Sequence, residues 1–176
     1  MKIGLIVEGD SDKEFFEKYF KPKSKRDILV SSPGKEGTCK ILNRDKIHRD
    51  IKMLFAKGCQ EVYILIDLDT QCDDGRKFNC IVELKEWYIE KISLKKHNNV
   101  YISVVSKEIE AWMLSAWQKS DNKSKQDFEK FFKAKKSLSE LELLKKFIGS
   151  KKDIKAKNNE FLYYFLKKLE LIENYN

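Results

Sequence analysis

Three carboxylates directly follow or close the two most apolar segments of the chain. Glu8 comes after the run KIGLIV at 2–7, and Asp67 and Asp69 end the run EVYILIDLD at 61–69. Because side chains alternate along a strand, Asp67 and Asp69 point to the same side. Two neighbouring carboxylates repel unless a cation or a proton lies between them, and hard oxygen ligands suit Mg²⁺ or Mn²⁺. This spacing predicts a divalent-metal site.

The order of the predicted elements explains how these acids would meet. Strands alternate with helices, which is typical of an α/β fold with a mainly parallel, Rossmann-like sheet of four strands flanked by helices. Functional groups in such sheets lie at the carboxyl ends of the strands. We expect strands at 2–7, 28–30, 61–69 and 100–105, and helices beginning near Ser11, Cys39, Cys80 and Ser106, followed by helices at 124–134, 138–148 and 158–172.

Three further acids are candidate metal ligands. Asp12 lies in the first helix, within a Ser11-x-x-Glu14 capping-box pattern, and Glu108 and Glu110 begin the helix after the fourth strand. Acids in a first helical turn also compensate the helix dipole without any further role. The sequence leaves both roles open for all three residues. For Glu8, Asp67 and Asp69 together, the metal site is the favoured interpretation.

The charge of the chain is uneven, although its formal net value is +8. Residues 118–176 carry 15 lysines and 9 acids, whereas residues 1–117 carry 21 Lys and Arg against 19 acids. A basic face beside an acidic site suits a polyanion, and the alternative is an ordinary solvated surface. The tail aromatics, Phe132, Phe147, Tyr163, Tyr164 and Phe165, fit helix packing better than base stacking.

Cysteine spacing and hydropathy exclude several classes of protein. Cys39, Cys59, Cys72 and Cys80 form no CxxC pair, and the two histidines lie in no zinc-type spacing. No run of about 20 apolar residues is present, and the N-terminal apolar run is too short for a signal peptide. We therefore expect a reduced, cytoplasmic protein that does not enter a membrane.

The acidic motifs resemble the Toprim family, which includes topoisomerases, primases, recombination mediator proteins and the overcoming-lysogenization-defect nucleases. Its EGxxD and DxD motifs are matched by VEGDSD, with Glu8 and Asp12, and by LIDLD, with Asp67 and Asp69. The stretch KEIEAW at 107–112 is similar to a Glu-x-Glu-Ala-Trp segment of small stand-alone Toprim-like proteins. The resemblance implies that Glu8 is a general acid or base or a ligand, and that Asp67 and Asp69 hold Mg²⁺.

The resemblance implies a Toprim-like catalytic domain at 1–117 and a basic helical extension at 118–176. The implied activity is metal-dependent cleavage of DNA or RNA, in phage defence or repair, with an ATPase or another defence protein as a partner and with oligomerisation open. The alternatives are a non-catalytic nucleic-acid-binding or protein-interaction module and a Mg²⁺-dependent phosphatase or nucleotide hydrolase. We assign contact with the nucleic-acid backbone to four lysines of the extension: Lys151, Lys152, Lys155 and Lys157.

Overall fold

A computed structural model describes residues 1–33, 40–67, 78, 80–105, 108–134 and 136–171. The chain divides into two compact units, Met1–Val104 and Val105–Asn176. This division falls at the end of the fourth strand, and the domain boundary expected at residue 117 stays a prediction. Within the described residues, no helix is long and apolar enough to cross a membrane.

Four parallel strands form the sheet and confirm the predicted α/β, Rossmann-like fold. Their order across the sheet is β2-β1-β3-β4. In the centre, Ile6 of β1 lies between Ser31 of β2 and Ile64 of β3, and the N–H of Val7 continues the ladder to the carbonyl of Ser31 at 3.0 Å. The strands are β1 (Lys2–Ile6), β2 (Asp27–Ser31), β3 (Glu61–Asp67) and β4 (Val100–Val105).

Three helices of the first unit connect these strands. The first begins as α1 and continues as a π-helical turn, Phe16–Phe20, whose buried aromatics belong to the core. The second is capped by Asn43, whose side chain accepts the N–H of Lys46, and Gly58 closes its far end with a φ of 85°. Their bounds are α1 (Asp10–Phe15), α2 (Arg44–Ala56) and α3 (Ile81–Ile92).

Gly4 allows α2 to pack directly on the sheet. A Cβ atom at Gly4 would lie 2.9 Å from Cδ1 of Leu54 on α2 and 3.2 Å from Cγ2 of Val62 on β3. Any side chain there would push the helix or the neighbouring strand away. The buried, mostly β-branched and leucine side chains of β1 and β3 complete this part of the core: Ile3, Leu5, Ile6, Val62, Ile64, Leu65 and Ile66.

Beyond β4, the described residues of the second unit form helices and the segments that connect them. Trp112 and Phe165 pack against each other with ring centroids 5.0 Å apart, and both are buried. Tyr163 and Tyr164 are 37% and 54% exposed, so the prediction that they pack inside was wrong, because they lie on the outer face of their helix. The helices are α4 (Ile109–Leu114), α5 (Lys125–Phe131), α6 (Glu140–Gly149) and α7 (Glu160–Lys168).

Candidate functional site

The carboxyl ends of β1 and β3 lie side by side at a change of direction in the sheet. From β1 the chain passes through α1 to β2 on one side, and from β3 it passes through α3 to β4 on the other. The connections thus leave two neighbouring strands in opposite directions. In open α/β sheets this arrangement opens a crevice in which ligands bind. Glu8, two residues beyond β1, and Asp67, the last residue of β3, lie at this point.

Glu8 and Asp67 are linked directly. Oε1 of Glu8 accepts a hydrogen bond from the backbone N–H of Asp67 at 3.1 Å, although the residues are 59 positions apart. Both residues are half-buried. A charge-assisted bond of this kind fixes the orientation of the carboxylate. The structure therefore brings these two sequence-predicted residues together at the edge where the strand-end rule placed them.

Asp12 has a visible role as a helix cap. Gly9 is the N-cap of α1 in an extended conformation, and its N–H donates to Oδ2 of Asp12 at 3.2 Å. The predicted capping box of Ser11 and Glu14 is therefore wrong, because the N-cap residue lies two positions before Ser11. Asp12, three residues after Gly9, is the acid whose side chain accepts the N–H of the N-cap residue. The structure thus shows Asp12 in the capping role. Its role as a metal ligand stays a prediction.

Three residues without a sequence-predicted role lie near these acids or strand ends: Asp10 and Asp50, which contact the end of β2, and Tyr88, which feels the charge of Glu8. The buried Tyr88 hydroxyl donates to the carbonyl of Ile41 at 2.7 Å. Burial, and to a smaller extent the negative charge of Glu8, raise the pKa of Tyr88 well above its usual value. The buried Tyr88 side chain therefore lies within electrostatic reach of Glu8.

The two other acids tie neighbouring elements together. Asp50 is 4% exposed and accepts from the hydroxyl of Ser31 at 3.1 Å, so it links α2 to the end of β2. Asp10 accepts from the hydroxyl of Ser32 at 3.3 Å. Position 50 falls on the apolar stripe of α2, at helical spacing from Ile47 and Leu54. An acidic residue on the apolar stripe of a helix is the sequence signal that could have predicted the burial of Asp50.

Glu108 and Glu110 belong to the second unit and differ in their surroundings. Glu108, not the predicted Ser106, is the N-cap residue of α4, and Ser106 lies outside the described residues. The Glu108 carboxylate accepts the backbone N–H of Lys125, at the start of α5. Glu110 is 4% exposed and lies in a helix whose residues are all buried, so it is not a solvent-facing dipole acid.

The metal site predicted from the sequence is only partly within the described residues. Asp69 lies outside them. Among the described residues, no three His, Cys, Asp or Glu side chains are close enough together to hold a metal ion. Glu8 and Asp67 nonetheless fit such an ion in kind, since both are carboxylates at neighbouring strand ends and Glu8 is already oriented by a backbone bond.

The four lysines assigned to nucleic-acid contact are all exposed. They occupy the connection between α6 and α7, a segment held down by its backbone and its apolar residues. The N–H of Lys155 donates to Oγ of Ser115 at 3.0 Å, and Ile154 and Ala156 on either side are buried. A firmly held backbone with outward-facing ammonium groups is a suitable surface for a polyanion.

Most of the chain matches one protein-family model. Residues 7–146 match the family model described as Domain of unknown function (DUF4276). The chain belongs to the DUF4276 family. The matched segment contains all six predicted acids, and it ends before the four lysines. No curated protein and no solved structure is significantly similar to this DUF4276 chain.

Proposed function

We propose that this DUF4276 protein is a metal-dependent hydrolase of phosphodiester bonds in DNA or RNA. The observation that carries the proposal is the hydrogen bond between Glu8 and the Asp67 N–H at the change of direction in the sheet. It orients the Glu8 carboxylate at the place where open α/β sheets bind their ligands. The Toprim resemblance of the same residues supports the same chemistry, and it remains a resemblance.

Glu8, Asp67 and Asp69 would hold Mg²⁺ or Mn²⁺, with Asp12 as a further candidate ligand. A bound Mg²⁺ supplies a Lewis acid for a phosphate oxygen and lowers the pKa of a coordinated water. The residues of the chain orient the Glu8 carboxylate and place a buried side chain near it. The Asp67 N–H holds Oε1 of Glu8 in place, and the buried Tyr88 lowers the local dielectric on one side.

The basic connection between α6 and α7 would hold the substrate backbone. Lys151, Lys152, Lys155 and Lys157 present charge without the fork geometry that reads bases. Contacts of this kind position a nucleic acid and carry no sequence information. The proposed enzyme is therefore indifferent to sequence and selective, if at all, for the shape or strandedness of its substrate.

The decisive experiment is a cleavage assay with three substrates: plasmid DNA, single-stranded DNA and single-stranded RNA. Each is incubated with the purified protein and Mg²⁺, Mn²⁺ or EDTA. We expect strand cleavage with a divalent cation and none with EDTA. A matched control is Asp27→Asn, because Asp27 lies at the opposite end of the sheet, where it pairs with Lys2 at 3.5 Å. This variant should cleave as well as the wild type.

The alternatives give different results in the same assay. A binding module shifts nucleic acids in a gel but leaves them intact with every cation. A phosphatase or nucleotide hydrolase releases phosphate from small substrates and leaves long chains uncut. Cleavage that persists in Asp67→Asn at the wild-type rate would reject the site, since a neutral amide in place of the Asp67 carboxylate is a much poorer ligand for a hard cation.

A further inference from the structure

The two histidines of the chain meet in the folded first unit, although 49 residues separate them. Nε2 of His97 lies 3.1 Å from Nδ1 of His48, and the ring centroids are 5.1 Å apart. His48 lies on α2, and His97 follows the short helical turn Leu94–Lys96. Both rings are partly exposed, so solutes reach them from water.

One ring nitrogen of His48, Nε2, already has a hydrogen-bond partner. Nε2 of His48 lies 2.7 Å from the backbone carbonyl of Ile92, and a carbonyl only accepts, so Nε2 carries the proton. Nδ1 of the neutral ring therefore carries a lone pair, and it faces His97. Histidines that bind metals very often donate their other N–H to a backbone carbonyl in this way, which sets the tautomer and orients the ring.

We propose that His48 and His97 form a binding site for a borderline divalent cation such as Zn²⁺, Ni²⁺ or Cu²⁺. Two nitrogens bound at about 2.0–2.1 Å to one ion are about 2.8–3.4 Å apart for angles between about 90° and 110° at the metal. The 3.1 Å separation of the two nitrogens lies in this range. Binding then requires that the two rings turn until both nitrogen lone pairs point to one ion and that His97 changes tautomer.

The lowered pKa of His97 favours such an ion. Burial, the neighbouring His48 and the charge of Lys52 lower the pKa of His97, so a proton competes weakly for its ring at neutral pH. Imidazole nitrogens select Zn²⁺, Ni²⁺ and Cu²⁺ over Mg²⁺, which prefers oxygen. Because no third His, Cys, Asp or Glu joins the pair among the described residues, the remaining coordination positions are open to water or an added ligand.

A bound ion would also connect two parts of the first unit. His48 is carried by α2, and His97 lies in the segment that leads from α3 into β4. The ion would cross-link them, and an ion that binds only the folded state stabilises it. This site uses different residues and a different class of metal from the carboxylate site, so either proposal can fail without the other.

The test is imidazole NMR on the wild-type protein during titration with ZnCl₂, because only two histidine rings contribute signals. We expect both rings to shift and to saturate at one ion per chain, the melting temperature to rise with Zn²⁺, and MgCl₂ to move neither ring. Unmoved ring signals up to millimolar Zn²⁺ would overturn the proposal.

Variants locate the ligands by calorimetric titration with Zn²⁺ and with Ni²⁺. Loss of an outer-shell partner costs about 10–100-fold in metal affinity, so His48→Gln and His97→Gln should each weaken binding at least about tenfold. Cys80→Ser is the matched control, since Cys80 is an exposed free thiol that also attracts Zn²⁺. Equal affinity in the histidine variants, or loss only in Cys80→Ser, would reject the site.

Discussion

The Glu8 carboxylate at the end of β1 accepts the backbone N–H of Asp67 at the end of β3, with 3.1 Å between Oε1 and the nitrogen. This bond ties together the two central strands at the point where their connections diverge. Glu8 consequently has a structural task besides any chemical one. The two tasks respond differently to substitution, and variants can separate them.

Glu8→Gln should retain the fold and lose cleavage. The amide oxygen of glutamine can still accept the Asp67 N–H, so we expect a melting temperature close to that of the wild type, whereas the charge that a metal needs is gone. Glu8→Ala also removes the acceptor from a half-buried N–H and should cost about 1–3 kcal/mol. Urea unfolding and the cleavage assay measure the two effects. Equal destabilisation by both variants would show that the negative charge itself supports the fold.

Asp67→Asn and Asp69→Asn, made one at a time, should abolish cleavage and leave the fold intact. Carboxylates held close together without a cation raise each other's pKa and destabilise the folded protein, so the neutral amide should keep stability level or increase it by about 1 kcal/mol. The stabilisation by added Mg²⁺ should shrink, because a weaker ligand stabilises the folded state less. Thermal unfolding with and without Mg²⁺ measures both. A loss of stability without metal would indicate a structural role for that aspartate.

Sequence periodicity was sufficient for most of the fold. The apolar runs predicted all four strands, and the stop at Gly58 follows from the φ of 85° that glycine tolerates. Local signals were weaker at helix starts, where several residues compete to be the cap. The sequence predicts helix starts at Ser11 and Ser106, whereas Gly9 and Glu108 are the N-cap residues.

The sequence did not predict which residues contact each other in the tertiary structure, because these contacts depend on which surfaces meet. Apolar periodicity cannot tell that Tyr164 faces water while its neighbour Phe165 packs on Trp112. It also gives no sign that His48 and His97 meet. The strand-end rule, by contrast, did place Glu8 beside Asp67, since it depends only on strand direction and order.

The four lysines of the connection between α6 and α7 should set the affinity for nucleic acid. Replacing Lys151, Lys152, Lys155 and Lys157 with Gln should weaken binding and flatten its dependence on salt, by a slope of about 0.7–0.9 for each lysine that contacts a phosphate. Fluorescence anisotropy at several NaCl concentrations measures the slope. A control with equal loss of charge replaces four exposed lysines of the first unit, Lys57, Lys91, Lys95 and Lys96. Identical slopes in the two variants would mean that net charge alone determines binding.

Gly4→Ala should destabilise the first unit. The new methyl group would meet Cδ1 of Leu54 at 2.9 Å, so α2 or β3 must move, and overpacking of this kind costs about 1–3 kcal/mol. Gly149→Ala is the contrasting variant, because Gly149 is in α6 and has no heavy atom within 4 Å of the added Cβ. It should leave stability unchanged or raise it by up to about 1 kcal/mol. Urea midpoints of both variants decide, and an unchanged midpoint for Gly4→Ala would mean that α2 moves away without cost.

Tyr63 should make the protein sensitive to alkali. Burial, and then the hydrogen bond from its hydroxyl to Oε2 of Glu61 at 3.0 Å, raise the pKa of Tyr63 far above its ordinary value of 10.0. In the unfolded chain the phenol loses its proton near that ordinary value, whereas the folded chain retains it. The unfolded state therefore binds fewer protons above about pH 10, and the stability that Tyr63 contributes is full below this pH and lost as the pH rises further.

Urea midpoints between pH 7 and pH 11 for the wild type and Tyr63→Phe measure this contribution. The wild type should exceed the variant by a constant margin of about 1 kcal/mol up to about pH 9, because of the hydrogen bond, and the margin should shrink or reverse above about pH 10. Glu61→Gln retains the buried phenol, which is the larger cause of the raised pKa, so its stability should still fall at high pH. A margin between wild type and Tyr63→Phe that stays constant to pH 11 would mean that Tyr63 ionises as readily in the folded protein as in the unfolded chain.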